Sequence, residues 1–274
     1  MIDLVRLVRV HNLLVAAAGV LAGGWIALGE FTMPRVLVFA ALAAVGFGAA
    51  GNALNDLWDV AADRVNRPGG ERPFAAGRLR RGTVELCAFL GVLLGVAAAA
   101  LAGAGPVLVG LLAFAVMAAY SPALKPRGVP GNLAVAAIAG LPLFYGALAV
   151  GRPAWGVVPW LLAAWIHLGR ELVKDLEDEA GDRLAGRRTL PIRLGRARAA
   201  LVAVVALDTF VLASLVVPWA AGYRAVYFAV AAVAQLVALL AAVRLRRGRI
   251  ARVSLALKLA MVVGIVALVL GRPA

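Results

Sequence analysis

The chain has 274 residues, 64% of them hydrophobic, with a mean hydropathy of +0.94. Soluble domains run at roughly 45–50% apolar, so an ordinary globular fold is excluded. The net charge of +14 raises nucleic acid as a partner, but there is no soluble basic domain to carry that contact. The single cysteine, Cys87, excludes an intramolecular disulfide and any multi-cysteine metal site.

Taken in chain order, nine apolar stretches predict an all-α polytopic membrane protein: about 12–29, 36–55, 83–103, 106–120, 132–150, 155–174, 198–218, 224–243 and 253–270. The nine helices are expected to surround a central cavity. Abundant glycine and alanine allow close helix approach in lipid. If residue 1 is cytoplasmic, Arg35, Arg152, Arg224 and Arg272 fall outside, and the other 24 of 28 Lys and Arg fall on the cytoplasmic side or at its helix ends. That is the asymmetry of the positive-inside rule, and it places the protein in the cell membrane with its chemistry facing the cytoplasm. Residues 1–274 read as one membrane domain with an internal repeat. The basic runs Arg78/Arg80/Arg81 and Arg244/Arg246/Arg247/Arg249 read as topology signals in contact with anionic membrane lipid.

The repeat is carried by aspartates. Asp56, Asp59 and Asp63 recur as Asp175, Asp178 and Asp182, 119 residues later and at the same i, i+3, i+7 spacing. On a helix these offsets place three carboxylates within an arc of about 60°. Six of the chain's 14 acidic residues make up these two clusters. Asn52 and Asn55 extend the first stripe; Glu171, Arg170 and Lys174 accompany the second. Ionisable residues at membrane depth mark substrate or ion pathways. Carboxylates crowded on one face repel unless cations are present, and Mg²⁺ suits them, since it uses one or two carboxylates and takes other ligands from substrate phosphates. Glu177 and Glu179 sit at the edge of the face and read as solvated partners of nearby arginines. His11 and His167 are too few and too separate for a typical histidine metal site, although either can touch a substrate headgroup.

The strings Asn55-Asp56-x-x-Asp59-x-x-x-Asp63 with Asn66-Arg67-Pro68, and Asp175-x-x-Asp178-x-x-x-Asp182 with Thr189-Leu190-Pro191, resemble the two signatures of the UbiA superfamily of intramembrane prenyltransferases. The resemblance spans nearly the whole chain and includes the Tyr120-Ser121 pair. It implies a pair of Mg²⁺ ions held by Asp59, Asp63, Asp178, Asp182 and Asn55, with a prenyl diphosphate bound there and its tail in a tunnel among the helices. Asp59, Asp63, Asp178, Asp182 and Tyr120 are then the catalytic candidates, Tyr120 either stabilising an allylic cation or orienting the acceptor. Asn55, Asp56, Arg67, Lys125, Lys174, Asp175, Arg9 and Asn12 are candidates for substrate binding.

Within the superfamily, Tyr120-Ser-Pro-Ala-Leu-Lys125, Gly131-Asn132, Arg170-Glu-Leu-Val-Lys174-Asp-Leu-Glu-Asp178 and Arg9-Val-His-Asn12 are similar to the archaeal-type digeranylgeranylglyceryl phosphate synthases. That implies transfer of a geranylgeranyl group to geranylgeranylglyceryl phosphate, with Lys125 the first choice for the acceptor's phosphate and Arg9 and Lys174 behind it. Aromatic, quinone-precursor or tetrapyrrole acceptors stay open. Nothing marks an obligate protein partner. A cation or lipid transporter is the other class; transporters place sites at the midplane of inverted repeats, whereas both clusters here lie at one face.

Overall fold

The computed structural model describes residues 2–67 and 69–274, so Pro68 of the Asn66-Arg67-Pro68 string lies outside the described residues. The described residues are helical, with no strand among them. In chain order they form α1 (Ile2–Leu7), α2 (Val10–Leu28), α3 (Arg35–Trp58), α4 (Val60–Asn66), α5 (Arg81–Ala102), α6 (Ala104–Ala119), α7 (Val129–Ala149), α8 (Ala154–Glu177), α9 (Glu179–Leu184), α10 (Leu190–Leu194), α11 (Arg196–Ala220), α12 (Ala225–Arg246) and α13 (Val253–Leu270). The link after α6 is a π-turn over Tyr120–Leu124 and a 3₁₀ turn over Lys125–Arg127.

Among the described residues, eight helices are long and apolar enough to cross a membrane, against the nine expected from the sequence. The stretch outside that set is α8, which is 24 residues long but carries Arg170, Glu171, Lys174, Asp175 and Glu177 in its last two turns. Its charges sit on the wall of a cavity or in paired contacts, so α8 packs as a long helix among apolar ones despite its composition.

The helices form a ring in which α2 packs on α3 and α7, α7 on α8, α8 on α11, and α12 on α13, which returns to α2. One apolar core joins α2, α3, α5 and α7 through Val20, Leu37, Phe47, Ala99 and Tyr145, with Phe114 of α6 packed against it. Another joins α8 to α11, α12 and α13 through Val173, Val204, Leu207, Ala238 and Leu257. Small residues set the spacing. A Cβ at Gly46 of α3 would lie 2.8 Å from the Gly91 carbonyl oxygen of α5, so those backbones nearly touch, as lipid-embedded helices without large side chains can. Outward surfaces are lined by exposed Leu86, Phe89, Leu93, Leu201, Leu212, Leu236, Leu240 and Leu259, far more apolar surface than a water-soluble protein presents.

Both aspartate motifs straddle a break between a long helix and a short one. Asp59 (φ −95°, ψ 9°) separates α3 from α4, and Asp178 (φ −98°, ψ 7°) separates α8 from α9. The sequence suggested one unbroken helical face; instead the third aspartate of each motif rides on the short helix, after a bend at the second. Asn66 of α4 ties the two bends together: its carboxamide accepts from Gly181 N–H at 2.9 Å and donates to the Asp178 carbonyl at 3.2 Å.

Candidate active site

A cavity of about 1540 Å³ runs through the ring. One end is polar, lined by Arg9, Asn52, Asn55, Asp59, Asp63, Arg67, Arg72, Tyr120, Lys125 and Asp178. The other is walled by Phe47, Ile138, Leu143, Leu162, Phe210 and Leu268. Helix polarity explains the division, since each motif lies at the last turn of its long helix and the apolar span precedes it.

The two motifs meet at the polar end. Asp59 receives Lys125 Nζ at 2.6 Å and Arg187 at 2.5 Å; Arg187 also donates to Asp182 at 2.6 Å, thereby bridging the first motif to the second. Arg67 of the first motif's trailing string donates to Asp178 at 2.9 Å. Asn55 donates to Asp59 at 3.0 Å and to Ser121 Oγ at 2.5 Å. Arg9 donates to Asn52 at 3.1 Å, to Asn55 at 2.8 Å and to Asp56. It reaches them from a backbone in the left-handed region, φ 54°, a conformation that a non-glycine residue holds only when its surroundings dictate it. Arg72 lies 3.6 Å from Asp63 and 3.8 Å from Asp56.

These contacts act on the carboxyl groups in opposite senses. Burial by itself would raise Asp59, but the adjacent Lys125 and Arg187 outweigh it and hold the Asp59 carboxyl below the usual carboxylate range. Burial pushes Asp63 up, with Asp59 and Asp56 adding to the rise and Arg72 opposing it.

Of the sequence candidates, Asn55, Asp59, Asp63, Arg67, Asp178, Tyr120, Lys125, Lys174, Arg9 and Asn12 line the cavity. Asp56, Asp175 and Asp182 are set off its wall: Asp56 and Asp182 are buried, and Asp175 accepts from Asn132 at 2.8 Å. Lys125, expected at an acceptor phosphate, donates to Asp59. Lys174 pairs with Glu171 at 2.9 Å, and Asn12 accepts from Lys258 at 2.7 Å. Glu179 pairs with Arg183 and Arg196 as expected of a solvated partner, whereas Glu177 bonds to Ser254 rather than to an arginine. Sequence reasoning missed Arg187, Arg72 and Lys258. Arg187 and Arg72 read as two more cytoplasmic arginines, because chain order does not reveal which arginine folds back on which aspartate. Lys258 had a signal, as the lone charge in an apolar helix.

Whether the residues fit a divalent cation is a question of donor chemistry and placement. Carboxylate and carboxamide oxygens are the hard donors that Mg²⁺ takes. Asp56 Oδ2 is buried without a hydrogen-bond partner. Among the described residues no three acidic side chains already enclose one point, and Lys125, Arg187 and Arg67 pair with the motif carboxylates. The donor set therefore fits the ion chemically, and long, flexible cationic side chains are what must turn aside.

The UbiA prenyltransferase family model matches residues 16–262 of this chain. The chain belongs to the UbiA prenyltransferase family. It is thus a membrane-integral prenyltransferase, as its signatures suggested. It is 37% identical over 225 residues to the digeranylgeranylglyceryl phosphate synthase of Thermococcus gammatolerans, covering 82% of this chain and 80% of the relative. To the protein of the same name from Halobacterium salinarum it is 40% identical, covering 74% and 72%. Solved structures agree on the fold. A UbiA homologue from Aeropyrum pernix superposes with a TM-score of 0.82 at 21% identity, over 95% of this chain and 97% of that one. The UbiA homologue from Archaeoglobus fulgidus bound to DMAPP and Mg²⁺ superposes with a TM-score of 0.66 at 17% identity, over 97% and 98%.

Proposed function

We propose that this UbiA-family protein transfers a geranylgeranyl group from its diphosphate to geranylgeranylglyceryl phosphate, in a Mg²⁺-dependent reaction at the cytoplasmic face of the membrane. The observation that carries the reading is the cavity joining the aspartate end to an apolar chamber. At about 1540 Å³ it exceeds the roughly 300–1,000 Å³ of ordinary small-molecule pockets, in keeping with two long isoprenoid chains. The acceptor is favoured by relatives named for that product, and the donor end by the ligands of the Archaeoglobus homologue.

Asp59, Asp63 and Asp178, with Asn55 and Asp182, would hold Mg²⁺, while Asp56 and Asp175 support them from behind. When bound, the metal neutralises the diphosphate and makes it a better leaving group. Lys125 and Arg67 turn from the carboxylates to the diphosphate oxygens, adding charge-assisted hydrogen bonds that strengthen as negative charge develops there. The allylic C–O bond then ionises. Apolar walls keep water from the resulting cation, and Tyr120, at the junction of the polar and apolar regions, faces it with its ring. The acceptor's glycerol hydroxyl attacks C1, forms the ether bond and passes its proton to the departed diphosphate.

The test is purified protein with labelled geranylgeranyl diphosphate, Mg²⁺, and either geranylgeranylglyceryl phosphate or 4-hydroxybenzoate, read by mass spectrometry. Ether product on the glyceryl phosphate is expected, with loss of turnover in excess chelator. Asp59→Ala and Asp178→Ala should each lower kcat/KM by about 100-fold or more, on the scale of lost electrostatic stabilisation. Transfer to 4-hydroxybenzoate alone, or near wild-type turnover in both variants, overturns the reading.

A further inference from the structure

Lys258 is the one charged residue of α13, a helix of otherwise apolar side chains and Ser254. A lysine inside a spanning helix costs free energy and is retained where it serves a pathway or ligand. Lys258 lines the cavity and shares its wall with His11 and Asn12 of α2 and with His167, Arg170 and Lys174 of α8. Its Nζ donates to the neutral Asn12 Oδ1 at 2.7 Å, and among the described residues no carboxylate pairs with it.

The neighbouring cations are short of negative charge as well. Arg170 at 2.8 Å and Lys174 at 2.9 Å share one carboxylate, Glu171. Arg170 Nε is buried with no hydrogen-bond partner. Three cations and one carboxylate leave an excess of two positive charges on this wall. The cations of the aspartate end are a different set, Lys125, Arg187 and Arg67, each already on a motif aspartate. A phosphate monoester carries a charge of about −1.5 to −2 at neutral pH, which matches the excess.

We infer that Lys258, with Arg170 opposite, holds the phosphate of a lipid phosphomonoester acceptor, apart from the diphosphate at the aspartates. This rests on the proposed lipid-phosphate acceptor and assigns where its headgroup sits.

Steady-state kinetics on the whole protein with geranylgeranyl diphosphate decide it, comparing wild type with Lys258→Met, Lys258→Gln and Lys258→Arg. The neutral variants should raise the KM for geranylgeranylglyceryl phosphate about 10- to 100-fold and leave the donor KM within twofold. Lys258→Arg should recover most of the loss. The KM is independent of the fraction of protein folded, so a poorly folding variant still reports. With dephosphorylated geranylgeranylglycerol as acceptor, wild type and neutral variants should converge. A variant-free arm is acetylation of wild-type lysines mapped by mass: the phosphorylated acceptor should protect Lys258, and the donor alone should not. No transfer by wild type to the glyceryl phosphate defeats the functional reading and this inference together. Transfer by wild type with an unchanged acceptor KM in the neutral variants, or with Lys258 unprotected, overturns this inference alone.

Discussion

Arg187 is 6% exposed and holds Asp59 and Asp182 at once, so it neutralises the two motifs and ties them together. Removing one partner of a buried ion pair leaves the others uncompensated, at a cost of about 3–5 kcal/mol. Arg187→Gln should therefore lower the thermal midpoint in detergent as well as turnover; an unchanged midpoint would show that the bridge is not a structural tie. Asp63 behaves the other way. Because its folded-state pKa is raised, the folded protein binds that proton more tightly than the unfolded chain does. Its contribution then declines as pH rises from the unfolded carboxylate range through the raised value. The metal-free Asp63→Asn protein should thus be more stable than wild type at neutral pH while losing activity, the trade expected of a destabilised functional residue. Asp59 has the opposite sign: its lowered pKa stabilises the fold above the unfolded carboxylate range, and that stability is lost as pH falls through the lowered value. Melts of both asparagine variants across acid to neutral pH should show slopes changing in opposite directions.

Among the elements, the close approach of α3 and α5 is the most demanding. A Cβ at Gly46 would lie 2.5 Å from the Gly95 nitrogen, backbone that has no room to retreat. Gly46→Val should destabilise by about 1–3 kcal/mol, the usual cost of overpacking, seen as a lower melting temperature or poor recovery from the membrane. Gly82→Ala on the same helix pair, with open space at its Cβ position, should melt at or slightly above wild type. The same pair shows the limits of reading periodicity. The spacing Asp56-Asp59-Asp63 announced a shared face, and the faces do converge, but the bend at Asp59 is invisible to spacing. It depends on α4 docking against α9 through Asn66 and Gly181, a contact between residues 115 positions apart.

For the whole molecule, ring closure encloses the cavity of about 1540 Å³ and puts both motifs at its polar end. If that end faces the cytoplasm, single cysteines introduced into the 69–80 and 185–189 segments of a Cys87→Ser protein should react with a membrane-impermeant maleimide only after the cytoplasmic side is exposed. Labelling from the outer side of intact cells would reverse the orientation. Composition and charge were enough to determine a helical membrane protein, and six aspartates in two matched triplets were enough to single out its polar end, because hydropathy and spacing are local properties that survive in linear order. Partnership is not local. Lys125 belongs with Asp59, Arg187 spans both motifs, and Lys258 shares the cavity wall with residues of α8, because ring closure brings α13 back beside α2 and folds the 185–189 segment against the Lys125–Gly128 turn. Those pairings depend on which backbones can approach, and that was decided only when the small-residue faces packed.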